Sequence, residues 1–157
     1  MIKLFFSIEL LQKDILQPNI KKKTTPKVLT MEEKEMKSIV TEKAPAAIGP
    51  YSQGTETVNF VFTSGQIPVD PSVGTVPEGI EAQAEQSCRN VQAILEEAGS
   101  SMDKVIKTTC FLADMADFSV FNEVYAKHFT SCPARSCIAA KALPKGLLCE
   151  IEAIAEK

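Results

Sequence analysis

The chain has 157 residues, 45% of them hydrophobic and 24% charged, with a formal net charge of −3. That length carries one domain with a sizeable core rather than two, and no apolar run is long enough to cross a bilayer. Six lysines against Glu9 and Asp14 make residues 1–30 net +4, which leaves −7 for residues 31–157; an acidic body is a poor match for nucleic acid, whose binding rests on phosphate neutralisation.

The opening stretch, MIKLFFSIELL followed by Lys21-Lys22-Lys23, is broken by Glu9 and lacks a small-residue cleavage pattern, which argues against a secretory signal. Residues 1–35 read as an N-terminal extension, either a poorly ordered tail or an organellar targeting segment. The segment Met31–Lys37 (MEEKEMK) reads as a linker, so the folded domain is expected over residues 36–157.

Thr57–Thr63 (TVNFVFT) is β-branched and aromatic, with Val58, Phe60 and Phe62 alternating to one side, and predicts a strand. After a loop rich in Pro and Gly, Thr75 and Glu78 have capping-box spacing. Ile80, Ala84, Cys88, Val91, Leu95 and Ala98 then recur at helical period, and Gly99 is placed to end the helix. Its charged residues, Glu81, Glu85, Arg89 and Glu96, read as a solvated face. Val105–Leu112 alternates as a second strand. Asp114 and Asp117 offer N-cap chemistry for a second helix from Phe118 to about Phe129, with Phe118, Phe121 and Tyr125 on its buried side. Arg135–Ala142 and Leu147–Ala155 read as two more strands. The order β-β-α-β-α-β-β predicts an α+β domain with a mainly antiparallel sheet and both helices on one face.

The five cysteines (Cys88, Cys110, Cys132, Cys137, Cys149) form no C-x-x-C pair, and His128 is the one histidine. Buried, reduced thiols in an intracellular setting are the expected reading, His128 falls on the surface of the second helix, and His-dependent triads and His-rich metal sites are disfavoured. If Leu143–Gly146 joins the last two strands as a four-residue hairpin, Ala139 faces Glu150 and Cys137 faces Glu152. Arg135, Cys137, Glu150 and Glu152 then share one face, an inference that depends on the register. Two acids beside an arginine most often form a solvent-facing ion pair; a guanidinium that grips a carboxylate beside a group that moves a proton is the functional alternative.

Taken together, APAAIGPYSQG (Ala44–Gly54), FTSGQIPVDP (Phe62–Pro71), NVQAILEEAG (Asn90–Gly99), DFSVFNEVY (Asp117–Tyr125), PARSC (Pro133–Cys137), LPKG and EIEAIA (Glu150–Ala155) resemble the Rid (YjgF/YER057c-like) family, particularly its RidA branch. The resemblance implies a chorismate-mutase-like (YjgF-like) fold assembled as a homotrimer with sites between subunits. It implies hydrolysis of enamine/imine intermediates such as 2-iminobutanoate and 2-iminopropanoate to 2-oxo acids and ammonia, with no cofactor and no metal. By motif, Arg135 corresponds to the arginine that holds the substrate carboxylate, and Glu150 to the acid that positions or deprotonates water. Tyr51, Ser64 and Gly65 line the cleft, backbone groups at Gly65 and Cys137 contact substrate, and Asn122 matches a polar residue near the site; Tyr51 alternatively packs the subunit interface. A cytoplasmic protein is expected, or an organellar one if residues 1–35 direct it. The alternative function carried by the family is a non-enzymatic holdase or a translation-inhibiting, RNA-acting protein. The segment before Pro133 is one residue short of the family pattern, with Cys132 where an aromatic is usual.

Overall fold

A computed structural model of the chain describes residues 36–157; the expectations for the N-terminal extension lie outside the described residues. Six strands and two helices form an α+β domain: β1 (Lys37–Ile39), β2 (Gly54–Glu56), β3 (Phe60–Thr63), α1 (Ile80–Glu97), β4 (Val105–Leu112), α2 (Phe118–His128), β5 (Ala134–Ala139) and β6 (Cys149–Glu156). They make one sheet in the order β1-β2-β3-β6-β4-β5, antiparallel throughout except for the parallel pair β4–β5. The expected order lacked one strand, since β1 and β2 are three residues each and too short to show a period.

The sheet has two unlike faces. Along β6, Cys149, Ile151, Ala153 and Ala155 are buried, while Glu150, Glu152 and Ile154 between them are only part-buried. The buried set meets Val61 of β3, Cys110 and Leu112 of β4, Ile94 and Leu95 of α1, and Phe121 and Phe129 at α2 in a single core. This alternation follows the pleat, which sends successive side chains to opposite faces. Phe60 and Phe62 point the other way, with Val61 and Thr63 taking the core side. Val58 falls outside the strand and is exposed.

Both helices form where periodicity placed them, but their starts differ from expectation. α1 begins at Ile80 behind Gly79, with no side-chain cap. Thr75 instead closes the preceding loop, its carbonyl accepting from Asp70 N–H at 2.8 Å. Gly99 ends the helix with φ of 75°, a backbone conformation that costs glycine little. A 3-10 turn, Met115–Asp117, leads into α2, and the Asp114 carboxylate accepts from Ala116 N–H at 2.9 Å. Asp117 makes no cap bond. His128 is not a free surface residue: its Nε2 lies 2.7 Å from Glu85 Oε2, tying α2 to α1, and Glu85 also accepts from Arg89 at 2.9 Å.

Burial pushes the thiols of Cys110 and Cys149 up to about 12 and raises that of Cys88, so these are packing groups. Cys132 is exposed and sits at φ of 52° in the tight turn between α2 and β5. No helix among the described residues is long and apolar enough to cross a membrane.

Phe121 is fully buried and ties α2 to the sheet. Phe121→Ala is expected to cost about 3–5 kcal/mol, measured as a lowered midpoint in chemical denaturation.

Candidate active site

The connection between β5 and β6 decides the site. The expected hairpin does not form, because β4 lies between the two strands. The chain leaving β5 passes the end of β4, where Ala140 N–H donates to Leu112 O at 2.8 Å and Ala113 N–H donates to Leu148 O at 2.9 Å. In the resulting register Arg135 lies beside Thr108, which lies beside Ala153; Ile138 lies beside Phe111, which lies beside Glu150. Residues aligned across strands share a face. Arg135 and Cys137 are therefore on the helix side of the sheet, and Glu150 and Glu152 on the opposite side. The expected common face is overturned.

Each of the two groups has a built surround. Glu150 faces the loop that follows β3. Gln66 pins that loop to β6, its N–H donating to Ile151 O at 2.7 Å and its carbonyl accepting from Ile151 N–H at 3.2 Å. This brings Gly65 so close that a Cβ there would lie 2.7 Å from the Glu150 carboxyl carbon and nearer still to Oε1. Any side chain at this position would force the Glu150 carboxylate to swing aside. Burial, with a smaller push from the Glu152 charge, raises the Glu150 pKa above the ordinary carboxylate value.

Tyr51, Gly65 and Gln66 also line a cleft of about 740 Å³, together with Ile48, Ile67 and Lys145. Buried Gln53 organises its wall. Its Oε1 accepts from Thr41 N–H at 2.8 Å, and its Nε2 donates to the carbonyls of Thr41, Ala44 and Pro45 at 2.9, 3.0 and 2.9 Å. Ser64 acts in the same tie, donating through Oγ to Ser52 O at 2.6 Å. Tyr51 is half-exposed, and its hydroxyl accepts from Ile48 N–H at 3.3 Å.

On the other face, Phe118, Asn122 and Tyr125 follow at i, i+4 and i+7 and so form one stripe of α2. All three meet Arg135. Its Nη1 donates to Asn122 Oδ1 at 2.8 Å, and its guanidinium carbon lies 4.5 Å from the Tyr125 ring centroid and 5.6 Å from that of Phe118. Cys137 follows two residues along β5, half-buried, its thiol raised by burial against the opposing pull of Arg135. The sequence had placed Phe118 and Tyr125 only in the helix core; their spacing with Asn122 was the available sign of a joint role. Among the described residues no three His, Cys, Asp or Glu side chains gather as a metal site.

A carboxyl with a raised pKa binds its proton more tightly folded than unfolded, so it takes stability away as pH climbs through its folded pKa. Glu150→Gln is expected to match wild-type thermal stability at acidic pH and to exceed it at neutral pH, in melting curves taken across that range. Gly65→Ala is expected to displace the carboxylate and so to shift the pH at which stability falls, seen in the same melting curves.

Comparison with known proteins places this geometry. A family model described as Endoribonuclease L-PSP matches residues 41–157. The 2-iminobutanoate/2-iminopropanoate deaminase of Salmonella typhimurium is 52% identical over 123 residues, covering 76% of this chain and 96% of its own. The deaminase of the same name from Escherichia coli K12 is 51% identical with the same coverage. Among solved structures, E. coli TdcF with bound serine superposes with a TM-score of 0.75 at 47% identity, over 77% of this chain and 98% of that one. The YjgF gene product of E. coli gives 0.75 at 50% identity, over 77% and 98%. With a family model spanning five of the six strands, both helices and both halves of the site, the chain belongs to the Endoribonuclease L-PSP family, the Rid family its motifs resemble.

Proposed function

We propose that this chain is a hydrolytic enamine/imine deaminase that converts 2-iminobutanoate and 2-iminopropanoate to 2-oxo acids and ammonia. The observation that carries the reading is the pairing of two incomplete sites: a ring-backed guanidinium on one face and a half-buried carboxylate of raised pKa on the other. Relatives half identical to the chain bear the name of this activity.

The chemistry asks little of the protein. An iminium carbon is already electrophilic, so the requirements are orientation and a base for water. Arg135 pairs with the substrate carboxylate through its planar donors. Glu150 takes a proton from the attacking water as oxygen bonds to the iminium carbon. The proton then passes to nitrogen, the C–N bond breaks and ammonia leaves with the electron pair, while the carboxylate takes the remaining hydroxyl proton so that the carbon becomes a ketone. A raised pKa makes Glu150 a stronger base than an ordinary carboxylate. Gly65 leaves room beside it and Tyr51 shapes the cleft.

Arg135 and Glu150 belong to opposite faces and to strands separated by β4, so one chain cannot present both to a small substrate. A second copy supplies the missing half. The outer face fits that role: Phe60, Phe62, Ile106 and Ile138 are all at least 36% exposed on or beside the sheet, an apolar patch of the kind that marks an interface. We read the assembly as a homotrimer with three sites between subunits. The same patch is the observation that favours a holdase reading, in which it would grip unfolded chains.

A coupled assay separates these readings: threonine dehydratase supplies the imine, and semicarbazide traps what escapes. Wild type is expected to lower semicarbazone formation, while Arg135→Ala and Glu150→Gln leave it unchanged. Refolding the two variants together is expected to restore activity, because about one site in four then combines an intact arginine with an intact glutamate. Inactive wild type that suppresses aggregation of a client protein would put the holdase reading first.

A further inference from the structure

We infer that Tyr125 is a positioning residue that holds the Arg135 guanidinium ready for the substrate carboxylate, with Thr108 locking the tyrosine in turn. The inference rests on the reading of Arg135 as the carboxylate anchor.

Arg135 has one side-chain hydrogen bond among the described residues, from Nη1 to Asn122. A single neutral bond leaves a long side chain free to pivot. The remaining restraints are two rings of α2, of which Tyr125 is the nearer, its centroid 4.5 Å from the guanidinium carbon against 5.6 Å for Phe118. A guanidinium held by its face keeps its other N–H groups, which lie in its plane, available for bidentate pairing.

The ring is itself fixed on several sides. It stacks on Phe129 at 4.3 Å between centroids and 21° between planes, and Phe121 lies at 6.1 Å. Its hydroxyl lies 2.7 Å from Thr108 Oγ1 in a buried pair. Thr108 is aligned directly with Arg135 across the β4–β5 ladder. A loop closes from Arg135 through the ladder to Thr108, from Thr108 to the Tyr125 hydroxyl, and from the ring back to the guanidinium. Burial raises the phenol pKa, so the hydroxyl stays protonated as this bond needs. An anchor held in this way lowers the entropy lost on binding, so its loss falls on affinity rather than on the chemical step.

The test compares wild type with Tyr125→Leu, Tyr125→Phe, Thr108→Val and the Tyr125→Phe/Thr108→Val double variant. Readouts are kcat and KM on imine generated in situ by an amino-acid oxidase, and the Kd for 2-oxobutanoate, a stable carboxylate probe. Tyr125→Leu is expected to raise KM and Kd about tenfold with kcat within about twofold of wild type. Tyr125→Phe and Thr108→Val each remove the same bond, so each is expected to raise both roughly two- to fivefold, with the double variant no worse than either. A folded Tyr125→Leu with unchanged KM and Kd, or one that loses kcat alone, overturns the inference. Should that variant fail to fold by circular dichroism, the two near-isosteric variants decide: unchanged KM and Kd in both overturns it. Arg135→Ala is the control, since full activity in that variant would defeat the anchor reading itself.

Discussion

Everything about the two half-sites depends on β4 being paired along both edges. Its parallel ladder to β5 sets Arg135 beside Thr108, and its antiparallel ladder to β6 sets Glu150 beside Phe111. Sheet geometry permits no compromise between the two: a one-residue slip of either neighbour would exchange its buried and outer sets. Slipping β5 would carry Arg135 away from the α2 stripe and bring Ser136 or Ala134 to it. Slipping β6 would bury Glu150 under the helices and expose Ile151. The apolar core therefore holds the register of both ladders, because fully buried Ile151 alternates with Glu150 and Glu152 on β6, and buried Cys110 of β4 is aligned with Ile151 on one side and Cys137 on the other.

The same frame tolerates groups that oppose stability. A half-buried carboxylate beside a second acid is disfavoured by both desolvation and repulsion. Its place is kept by the Gln66–Ile151 bridge and by the absence of a side chain at Gly65. Such tension between stability and function is common where a group must be reactive. On the other face the surround is the reverse: aromatic rings and an amide carbonyl each favour a cation. The domain thus holds a disfavoured carboxylate and a comfortable guanidinium, separated by the thickness of a sheet.

Much of the fold was legible because it is written in local periods. The stripe from Ala84 to Leu95 gave α1, the alternation in Val105–Leu112 gave β4, and Gly99 marked a helix end. The β5–β6 relation was not legible. Two strands joined by a short Pro-Gly segment look alike whether they pair directly or straddle a third, since the intervening strand lies some thirty residues away in sequence. The expected cap at Thr75 failed for a similar reason, as its backbone was already committed to the loop at Asp70. The motif residues themselves were identifiable; which face each would occupy was a question of pairing between distant segments.

The separation of base and anchor has a consequence for quantity as well as for chemistry. On the proposed reading, in which a second copy completes each site, a lone subunit is complete in fold and empty in function. Its specific activity would be set by how many neighbours it has found, and would fall on dilution at the concentration where the assembly comes apart. Expression level would then act on the reaction twice, through the number of chains and through the fraction that have met.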